Sequence, residues 1–333
     1  MDEDFEKMIL RVLICIGISV VPCYAQEETL SLVILPDTQS YLESCPEIME
    51  QQFEWLAENS KDIDYVLHVG DITQGNTHAE WALSKIYFDK INNKIPYAIA
   101  LGNHDMGSAP NKFADTRDSS LANKYFPKEE LKEYSNLQGS FEENTIDNTY
   151  HSFEKNGSKW LILSLEFGPR NEVLDWANII VSDHPDHQVI LITHAYMYIG
   201  GKRQAEGDDW RAHGYGIGKE TGKKAVNDGE EIWEKLVKKH PNFFMVYSGH
   251  VLHQGLGQLV SEGDHGNKVY QFLANYQRGV KGYGDGCNGF LRLIDIDLSN
   301  LLLMTKTFSP YLDEWLEDPA NDFQIDLSEG IGN

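Results

Sequence analysis

The feature that most constrains the fold is a series of short apolar runs, rich in branched and aromatic residues, that alternate with stretches of helical periodicity. Such runs are typical of strands with both faces buried, and their alternation with amphipathic helices is typical of layered α/β proteins. The sequence therefore predicts an α/β sandwich. The predicted strands are residues 30–36, 65–70, 97–102, 160–165, 189–193 and 243–248.

Apolar residues also recur at helical spacing between these strands, which predicts helices with one face toward the core. The helical windows are residues 83–91, 173–180 and 232–237. No internal repeat and no run of Pro, Gly and Ser long enough to be a linker breaks the chain, which favours a single domain over residues 26–333.

The last third of the chain carries further predicted strands at hairpin-like spacing, expected to extend or pair a second sheet. They are residues 268–274, 290–296 and 302–308. Two other stretches, 106–148 and 198–228, show no clear pattern of this kind. Loops of this length in a compact domain are usually functional, so we expect them to contact substrate.

The amino terminus contains an apolar run over residues 12–21, preceded by Lys7 and Arg11 and followed by small residues up to Ala25. The run is too short to span a bilayer but has the length of a signal-peptide core. We therefore predict a signal peptide over residues 1–25, no membrane span, and export to the periplasm or the extracellular space. The acidic first residues depart from this pattern, and a start at Met8 would remove the departure. The alternative is a buried helix or strand of the fold.

Cleavage after Ala25 would leave two of the four cysteines, Cys45 and Cys287. In an oxidising compartment, either a long-range disulfide or two free thiols would fit. The sequence does not choose between them, since a bridge requires Cα atoms within about 7 Å.

The charge balance restricts the partners. Lys and Arg number 28 against 52 Asp and Glu, a formal net charge of -24, and the sequence pI is about 4.8. Nucleic acids are held mainly by Lys and Arg that displace counterions, so this balance argues against a nucleic-acid partner and against an anionic membrane surface. The oligomeric state is not predicted.

Polar clusters directly follow five of the predicted strands. They are Asp37-Thr38-Gln39, Gly70-Asp71, Gly102-Asn103-His104-Asp105, Thr193-His194, and Gly249-His250 with His253 beyond. Because the carboxyl ends of the strands in an open α/β sheet share one edge, we expect these clusters to converge.

The residue types in these clusters suit divalent metals, which bind carboxylates, amide oxygens and neutral imidazoles. Asp71 has two oxygens and can bridge two ions, whereas Asn103 offers one neutral carbonyl. A single Asp or His after a strand is more often a turn former or a helix cap. The ordered occurrence of all five clusters favours the metal interpretation.

The Gly-Asp, Gly-Asn-His-Asp and Gly-His motifs make the chain similar to the calcineurin-like metallophosphoesterases over residues 30–310. The resemblance implies a two-sheet βαβ sandwich flanked by helices, with two divalent metal ions drawn from Mn, Fe, Zn or Mg. It further implies roles for the matched residues. Asp37 would bind the first ion, Asp71 would bridge, Asn103, His194 and His250 would complete the second site, His104 would be the catalytic imidazole, and Asp105 would orient it.

Two positions depart from the family pattern, and both concern the first ion. The first motif has Gln39 where the family usually has His, and the amide oxygen is a weaker, uncharged donor. The last motif places its second imidazole, His253, one residue late. Since successive strand residues alternate faces, this shift can turn His253 away from the metal. Gln39 and His253 are nevertheless candidate ligands.

The resemblance implies hydrolysis of a small phosphomonoester or phosphodiester by a metal-bridging hydroxide, with His104 as general acid. The alternative is a non-catalytic metal-binding or phosphate-binding protein that retains the fold. Candidate substrate contacts are Arg170, Arg203, Arg211, Arg278, His213, Tyr41, Trp210, Tyr215 and Tyr276.

Overall fold

A computed structural model describes residues 29–277 and 287–328. The predicted signal peptide and Arg278 lie outside the described residues. Within the described ranges, no helix combines the length and the apolar character that a bilayer span requires.

The described residues form β-strands and α-helices, which are numbered in chain order. The strands are β1 (Thr29–Leu35), β2 (Tyr65–His68), β3 (Tyr97–Ile99), β4 (Leu137–Ser140), β5 (Thr149–Lys155), β6 (Ser158–Leu165), β7 (His187–Thr193), β8 (Met197–Tyr198), β9 (Lys202–Arg203), β10 (Phe243–Ser248), β11 (Leu256–Glu262), β12 (Lys268–Ala274), β13 (Leu291–Asp297), β14 (Leu302–Ser309), β15 (Glu314–Leu316) and β16 (Phe323–Asp326). The α-helices are α1 (Gln39–Ser44), α2 (Pro46–Glu58), α3 (His78–Phe88), α4 (Ser120–Tyr125), α5 (Lys128–Tyr134), α6 (Asn171–Asp183) and α7 (Gly229–Lys235).

Two large sheets face each other. The first has the order β15-β14-β13-β1-β2-β3, with β16 also paired to β14, and the second has the order β11-β12-β10-β7-β6-β5-β4. Strands β1, β2 and β3 run parallel in the first sheet, and β6, β7, β10 and β12 run parallel in the second. This architecture confirms the predicted two-sheet α/β sandwich with flanking helices.

The carboxyl-terminal strands divide between the two sheets. Strand β12 pairs parallel to β10 in the second sheet, whereas β13 pairs antiparallel to β1 and β14 continues the first sheet. The expectation that this region would build onto a second sheet is therefore correct for β12 only.

Strand β1 shows why both faces of the central strands are apolar. Leu30, Leu32 and Ile34 lie in the core between the two sheets. Val33 and Leu35, which alternate with them, pack in the core under the helices of the first sheet. Because side chains alternate along a strand, a layer covered on both sides needs apolar residues at successive positions.

The predicted helical windows correspond to α3, α6 and α7, although α3 begins five residues earlier than its window. Helix α3 starts with a capping box in which Thr77 accepts from the backbone of Glu80, and α7 starts with the same arrangement between Asp228 and Glu231. Such caps satisfy backbone N–H groups that the first turn leaves unpaired, so they fix where each helix begins.

The unassigned stretch 106–148 contains α4, α5 and β4, and the stretch 198–228 contains β9 and three short 3₁₀ turns. Helices α4 and α5 have six and seven residues. Two turns are too few to establish a helical period in the sequence, which explains why these helices were not predicted.

Cys45 and Cys287 form a disulfide, with Cα atoms 6.2 Å apart across 242 residues of sequence. The structure thus selects the disulfide over the two free thiols. Cys45 lies between α1 and α2, and Cys287 lies shortly before β13. The bond therefore ties the segment after β1 to the strand that pairs with β1.

Candidate metal centre

The five predicted clusters meet where the parallel strands of both sheets end. Asp37, Asp71 and Asn103 follow β1, β2 and β3 of the first sheet, and His194 and His250 follow β7 and β10 of the second. All five residues are buried. The predicted convergence of distant parts of the chain is present in the structure.

The backbone turns sharply at three of these positions. Asp37, Asp71 and His250 have φ values of 41°, 52° and 69°, a left-handed conformation that costs about 1–3 kcal/mol for a residue other than glycine. Close packing adds a second constraint, because a Cβ atom on Gly102 or Gly249 would lie 2.0 Å from an Asp71 or Asp37 carboxylate oxygen. The chain accepts this cost where the side chains converge.

Asp71 occupies the middle of the cluster. Its Oδ2 lies 3.0 Å from Nε2 of His194 and accepts a hydrogen bond of 3.0 Å from Nε2 of Gln39. Its Oδ1 accepts a hydrogen bond of 2.9 Å from the backbone N–H of His104. Burial alone would raise the pKa of Asp71, but His194 and His104 lower this pKa well below its usual range, so the carboxylate is charged.

The two imidazoles are oriented by main-chain carbonyls. Nδ1 of His194 lies 2.9 Å from the Val69 carbonyl, and Nε2 of His250 lies 2.7 Å from the Trp210 carbonyl. Each ring must donate its outer N–H to that carbonyl, so the inner nitrogen faces Asp71. These inner nitrogens, Nε2 of His194 and Nδ1 of His250, are 3.1 Å apart.

Two nitrogen lone pairs at this separation require a proton or a cation between them. Burial alone would lower the pKa of His194, but the Asp71 and Asp37 carboxylates raise it to about 9. Burial and the charge on His194 lower the pKa of His250 to about 3. In the absence of metal, His194 therefore carries the proton. A divalent ion bound by Asp71, His194 and His250 would take the place of this proton.

Two buried oxygens support a cation site independently. Oδ1 of Asn103 and Oε1 of Gln39 are buried and have no hydrogen-bond partner. An unpaired buried carbonyl costs about 1–3 kcal/mol, and metal coordination would satisfy it. The ligand atoms of Asp71, His194 and His250 lie within 4.8 Å of one another. The residues present thus fit divalent ions.

Asp37 joins the first motif to the last. Both of its carboxylate oxygens accept from the backbone N–H of His250, at 3.0 and 3.2 Å, and Oδ1 lies 4.0 Å from Nε2 of His194. Gln277 donates to the same Oδ1 at 3.3 Å. Burial raises the pKa of Asp37 well above its usual range. A positive charge beside Asp37 would offset this effect and favour the ionised carboxylate.

His253 is not brought into the group. It is exposed, and its ring lies 5.1 Å from the ring of Trp210. The extra residue in the last motif and the left-handed conformation of His253, with φ of 65°, place the imidazole in this contact. Of the two departing positions, the structure therefore brings Gln39, and not His253, to Asp71.

Asp105 makes different contacts from those implied by the resemblance. Nδ1 of His104 lies 2.7 Å from the Gln74 carbonyl, so a backbone carbonyl and not Asp105 orients the ring. Asp105 instead accepts hydrogen bonds from the backbone N–H groups of Ile72, Thr73 and Gly102 and from the Thr73 hydroxyl. It therefore fixes the loop after β2, which carries Gln74.

The candidate substrate contacts that the structure describes fall into two groups. Three arginines are held by carboxylates: Arg170 by Glu142, Glu166 and Glu172, Arg203 by Glu230, and Arg211 by Asp228. Tyr41 and Tyr276 are buried, whereas Trp210 and Tyr215 are half-buried. Trp210 contacts His250 through its carbonyl, and Tyr215 has its ring 6.2 Å from that of His250.

A second group of metal-ligating side chains, His213, Asp228 and Glu231, also has ligand atoms within 4.8 Å of one another. Its carboxylates are already used, because Asp228 and Glu231 form the cap of α7 and Asp228 pairs with Arg211. His213 lies 3.3 Å from Glu231. This group therefore fastens the loop that contains Trp210 to the start of α7.

Sequence reasoning missed the contacts made by backbone groups. The carbonyls of Val69, Gln74 and Trp210 orient three imidazoles, but a carbonyl is present at every position and leaves no signal in the sequence. Gln277, whose side chain donates a hydrogen bond to Asp37, follows the end of a strand as the predicted ligands do. That position is the one signal that would have found it.

A profile of the calcineurin-like phosphoesterase family matches residues 30–254. The match spans all five clusters. The chain belongs to the calcineurin-like phosphoesterase family. The resemblance drawn from the sequence motifs is therefore confirmed.

Among known proteins, this calcineurin-like phosphoesterase is similar to the uncharacterized protein YvnB of Bacillus subtilis (strain 168), with 30% identity over 291 residues. The match covers 85% of this chain and 20% of YvnB, so the chain spans about a fifth of the length of that relative.

A solved structure shows the same fold. The purple acid phosphatase PPD1 from yellow lupin (Lupinus luteus) seeds matches with a TM-score of 0.50 and 13% identity, over 90% of this chain and 54% of that one. A 5'-nucleotidase precursor from Thermus thermophilus is a more distant match, with a TM-score of 0.43 and 13% identity, over 91% of this chain and 55% of its own.

The arginine next to Trp210 provides a test of how His250 is held. Arg211 donates to Asp228 at 2.8 Å through Nε and so anchors the loop whose Trp210 carbonyl faces His250. We expect Arg211→Ala to weaken binding of Mn²⁺ or Zn²⁺ about 10-fold, the size of effect typical for groups that orient a metal ligand. Titration calorimetry measures this directly.

The matched control is Arg203→Ala. Arg203 also pairs with a carboxylate at the start of α7, Glu230, but it lies on β9 away from the Trp210 carbonyl. Its replacement should leave metal affinity unchanged. Equal affinities in Arg211→Ala and the wild type would show that the ion pair does not position His250.

Proposed function

We propose that the protein is an exported phosphoesterase that uses two divalent metal ions to hydrolyse a small phosphomonoester or phosphodiester. The observation that carries this proposal is the group formed by Asp71, His194 and His250, with unpaired buried oxygens on Asn103 and Gln39 beside it. Such a group provides neutral nitrogens, one charged carboxylate and two amide oxygens, which suits borderline and hard divalent ions.

Each ion would have its own residues. Asp37 and Gln39 would hold the first, Asn103, His194 and His250 the second, and Asp71 would contribute to both. Bound divalent ions lower the pKa of water toward about 7 and offset charge on phosphoryl oxygens. The chain orients the two imidazoles through backbone groups, the carbonyls of Val69 and Trp210.

His104 would donate a proton to the leaving oxygen. Its Nδ1–H would donate to the Gln74 carbonyl, 2.7 Å away, so the proton given to the substrate would be the second N–H of the imidazolium form, on Nε2. Its backbone N–H donates to Asp71, so the residue stands directly beside the metal group. Its side chain is half-buried, which gives the ring access to a bound phosphoester.

His104→Ala should reduce turnover of alkyl phosphoesters by about 10²–10⁴-fold, the usual contribution of a general acid. Turnover of p-nitrophenyl esters should change much less, because nitrophenolate leaves without a proton. Steady-state rates on 2-glycerophosphate and p-nitrophenyl phosphate, with metal content measured on the same samples, test this. Equal losses on both substrates would remove His104 from the role of general acid.

The proposed substrate is small and carries few charges. A net charge of -24 repels polyanions at long range, and Arg170, Arg203 and Arg211 are each neutralised by a carboxylate. Binding of the phosphoryl group would therefore depend on the metal ions and on local donors. This arrangement disfavours polynucleotides.

Export is supported by two independent features. The apolar run of residues 12–21 precedes a cleavage pattern at Ala25, and the Cys45–Cys287 disulfide suits an oxidising compartment. We propose a mature single domain that starts at residue 26. Amino-terminal sequencing of protein recovered outside the cytoplasm would give Gln26 first.

The deciding assay uses p-nitrophenyl phosphate and bis(p-nitrophenyl) phosphate in the presence of Mn²⁺, Zn²⁺, Fe²⁺ or Mg²⁺. We expect turnover with at least one metal and none after chelation. No turnover with any of the four would overturn the proposal and would favour a metal-binding or phosphate-binding role.

A further inference from the structure

The His104 imidazole lies in a slot between two loops. One loop follows β2 and supplies the Gln74 carbonyl, 2.7 Å from Nδ1. The other loop contains Phe113, whose ring is stacked on the imidazole with centroids 4.0 Å apart and an angle of 29° between the planes. The hydrogen bond fixes one edge of the imidazole, and the stacked ring covers one of its faces.

The loop that carries Phe113 is itself held in place. The backbone N–H of Asn111 donates to the Gly75 carbonyl at 2.9 Å, which joins it to the loop after β2. Ala114 donates to the Met106 carbonyl at 3.0 Å, which closes the loop. Gly107 passes so near the Lys112 carbonyl that a Cβ atom would lie 1.6 Å from its oxygen. The loop therefore presents Phe113 in a defined position.

We infer that Phe113 is a positioning residue for His104, which keeps Nε2 of the imidazole directed at the leaving group. The hydrogen bond to Gln74 alone leaves the ring free to tilt about the Nδ1 contact. A flat ring stacked at 4.0 Å removes that freedom, since tilting would break the contact between the planes. This inference rests on the proposed role of His104 as general acid.

The position of the loop makes this role specific. Phe113 is half-buried, and its neighbours Asn111 and Lys112 are exposed, so the aromatic ring is not part of the main core. It is separate from the residues proposed to hold metal. Loss of the ring should therefore impair the proton donor while leaving metal binding intact.

The expected effect is selective for the leaving group. Phe113→Ala and Phe113→Leu should each reduce kcat for 2-glycerophosphate, or for glycerophosphocholine if the enzyme prefers diesters, by about 3- to 10-fold, the contribution of one stacked pair to a barrier. Turnover of p-nitrophenyl phosphate or bis(p-nitrophenyl) phosphate should stay within about 2-fold of the wild type on the same scale. Phe113→Tyr, which keeps a flat ring, should retain the wild-type kcat for the alkyl ester.

The matched control is Tyr125→Leu, which removes another aromatic ring from a histidine contact. Tyr125 lies 5.9 Å from the ring of His78 on the surface, away from the metal group. Tyr125→Leu should leave kcat unchanged for both the alkyl and the nitrophenyl substrate. Metal content and the melting temperature are measured on every variant, and Phe113→Leu, which keeps apolar volume, serves if Phe113→Ala does not fold.

The outcomes separate this inference from the function on which it rests. A selective loss in His104→Ala without one in the Phe113 variants would overturn the positioning role and keep the general acid. Equal losses on alkyl and nitrophenyl substrates in the Phe113 variants would overturn it as well. The absence of a selective loss in His104→Ala would overturn the general acid and, with it, the role of Phe113.

Discussion

Asp71→Asn should yield a folded protein that retains neither metal ion and loses more than about 10²-fold in turnover. Groups that only orient a metal ligand already contribute 10–100-fold, and Asp71 is the carboxylate around which the other ligands are arranged. The substitution removes the negative charge of the Asp71 carboxylate, which attracts His194 and would attract a bound cation. Elemental analysis after dialysis, together with rates on p-nitrophenyl phosphate, measures both effects.

The control for this variant is Asp147→Asn. Asp147 is a half-buried carboxylate outside the centre that accepts hydrogen bonds from Ser119 and Asn123, and desolvation raises its pKa to about 6. It should retain full metal content. Two ions per chain retained in Asp71→Asn would contradict the bridging assignment, whatever the activity.

Loss of the disulfide should have the largest effect on stability. The Cys45→Ser, Cys287→Ser double variant should lower the free energy of unfolding by about 2–5 kcal/mol, because the bond closes a loop of 242 residues that the unfolded chain otherwise leaves open. Urea denaturation at equilibrium, without reductant, measures the difference.

Dithiothreitol provides the internal comparison. It should shift the wild-type transition to that of the double variant and should not shift the double variant. Identical midpoints for the oxidised wild type and the double variant would show that the disulfide does not stabilise the fold.

The central strands and their polar clusters were predictable because both leave local signals. A strand buried on both faces is apolar at successive positions, and a ligand at its end follows directly in the sequence. The order Asp37, Asp71, Asn103, His194 and His250 therefore predicted that these residues converge, although they follow strands of two sheets and not of one.

Contacts between distant backbone groups were not predictable in this way. The left-handed turns at Asp37, Asp71 and His250 and the carbonyls that orient the imidazoles depend on how loops pack, not on residue type. The same reason explains Asp105, which binds the backbone of the loop after β2 where the motif suggested the neighbouring imidazole.

The assignment of late strands to sheets shows another limit. Strands β12 and β13 are both seven residues long and both contain buried apolar residues, yet they belong to different layers. Spacing along the chain restricts which strands can be neighbours, but it does not specify which layer a strand enters once both offer an apolar face.

The ligands proposed for the second ion come from both layers of the sandwich: Asp71 and Asn103 follow strands of the first sheet, and His194 and His250 follow strands of the second. This ion, when bound, would therefore link the two layers. Release of the ion would favour separation of the layers, and separation of the layers would favour release of the ion. Each tenfold rise in free metal above the dissociation constant would add about 1.4 kcal/mol to the resistance against unfolding. The folded protein would therefore be most stable where the metal is abundant, and it would be cleaved more readily by proteases where the metal is scarce.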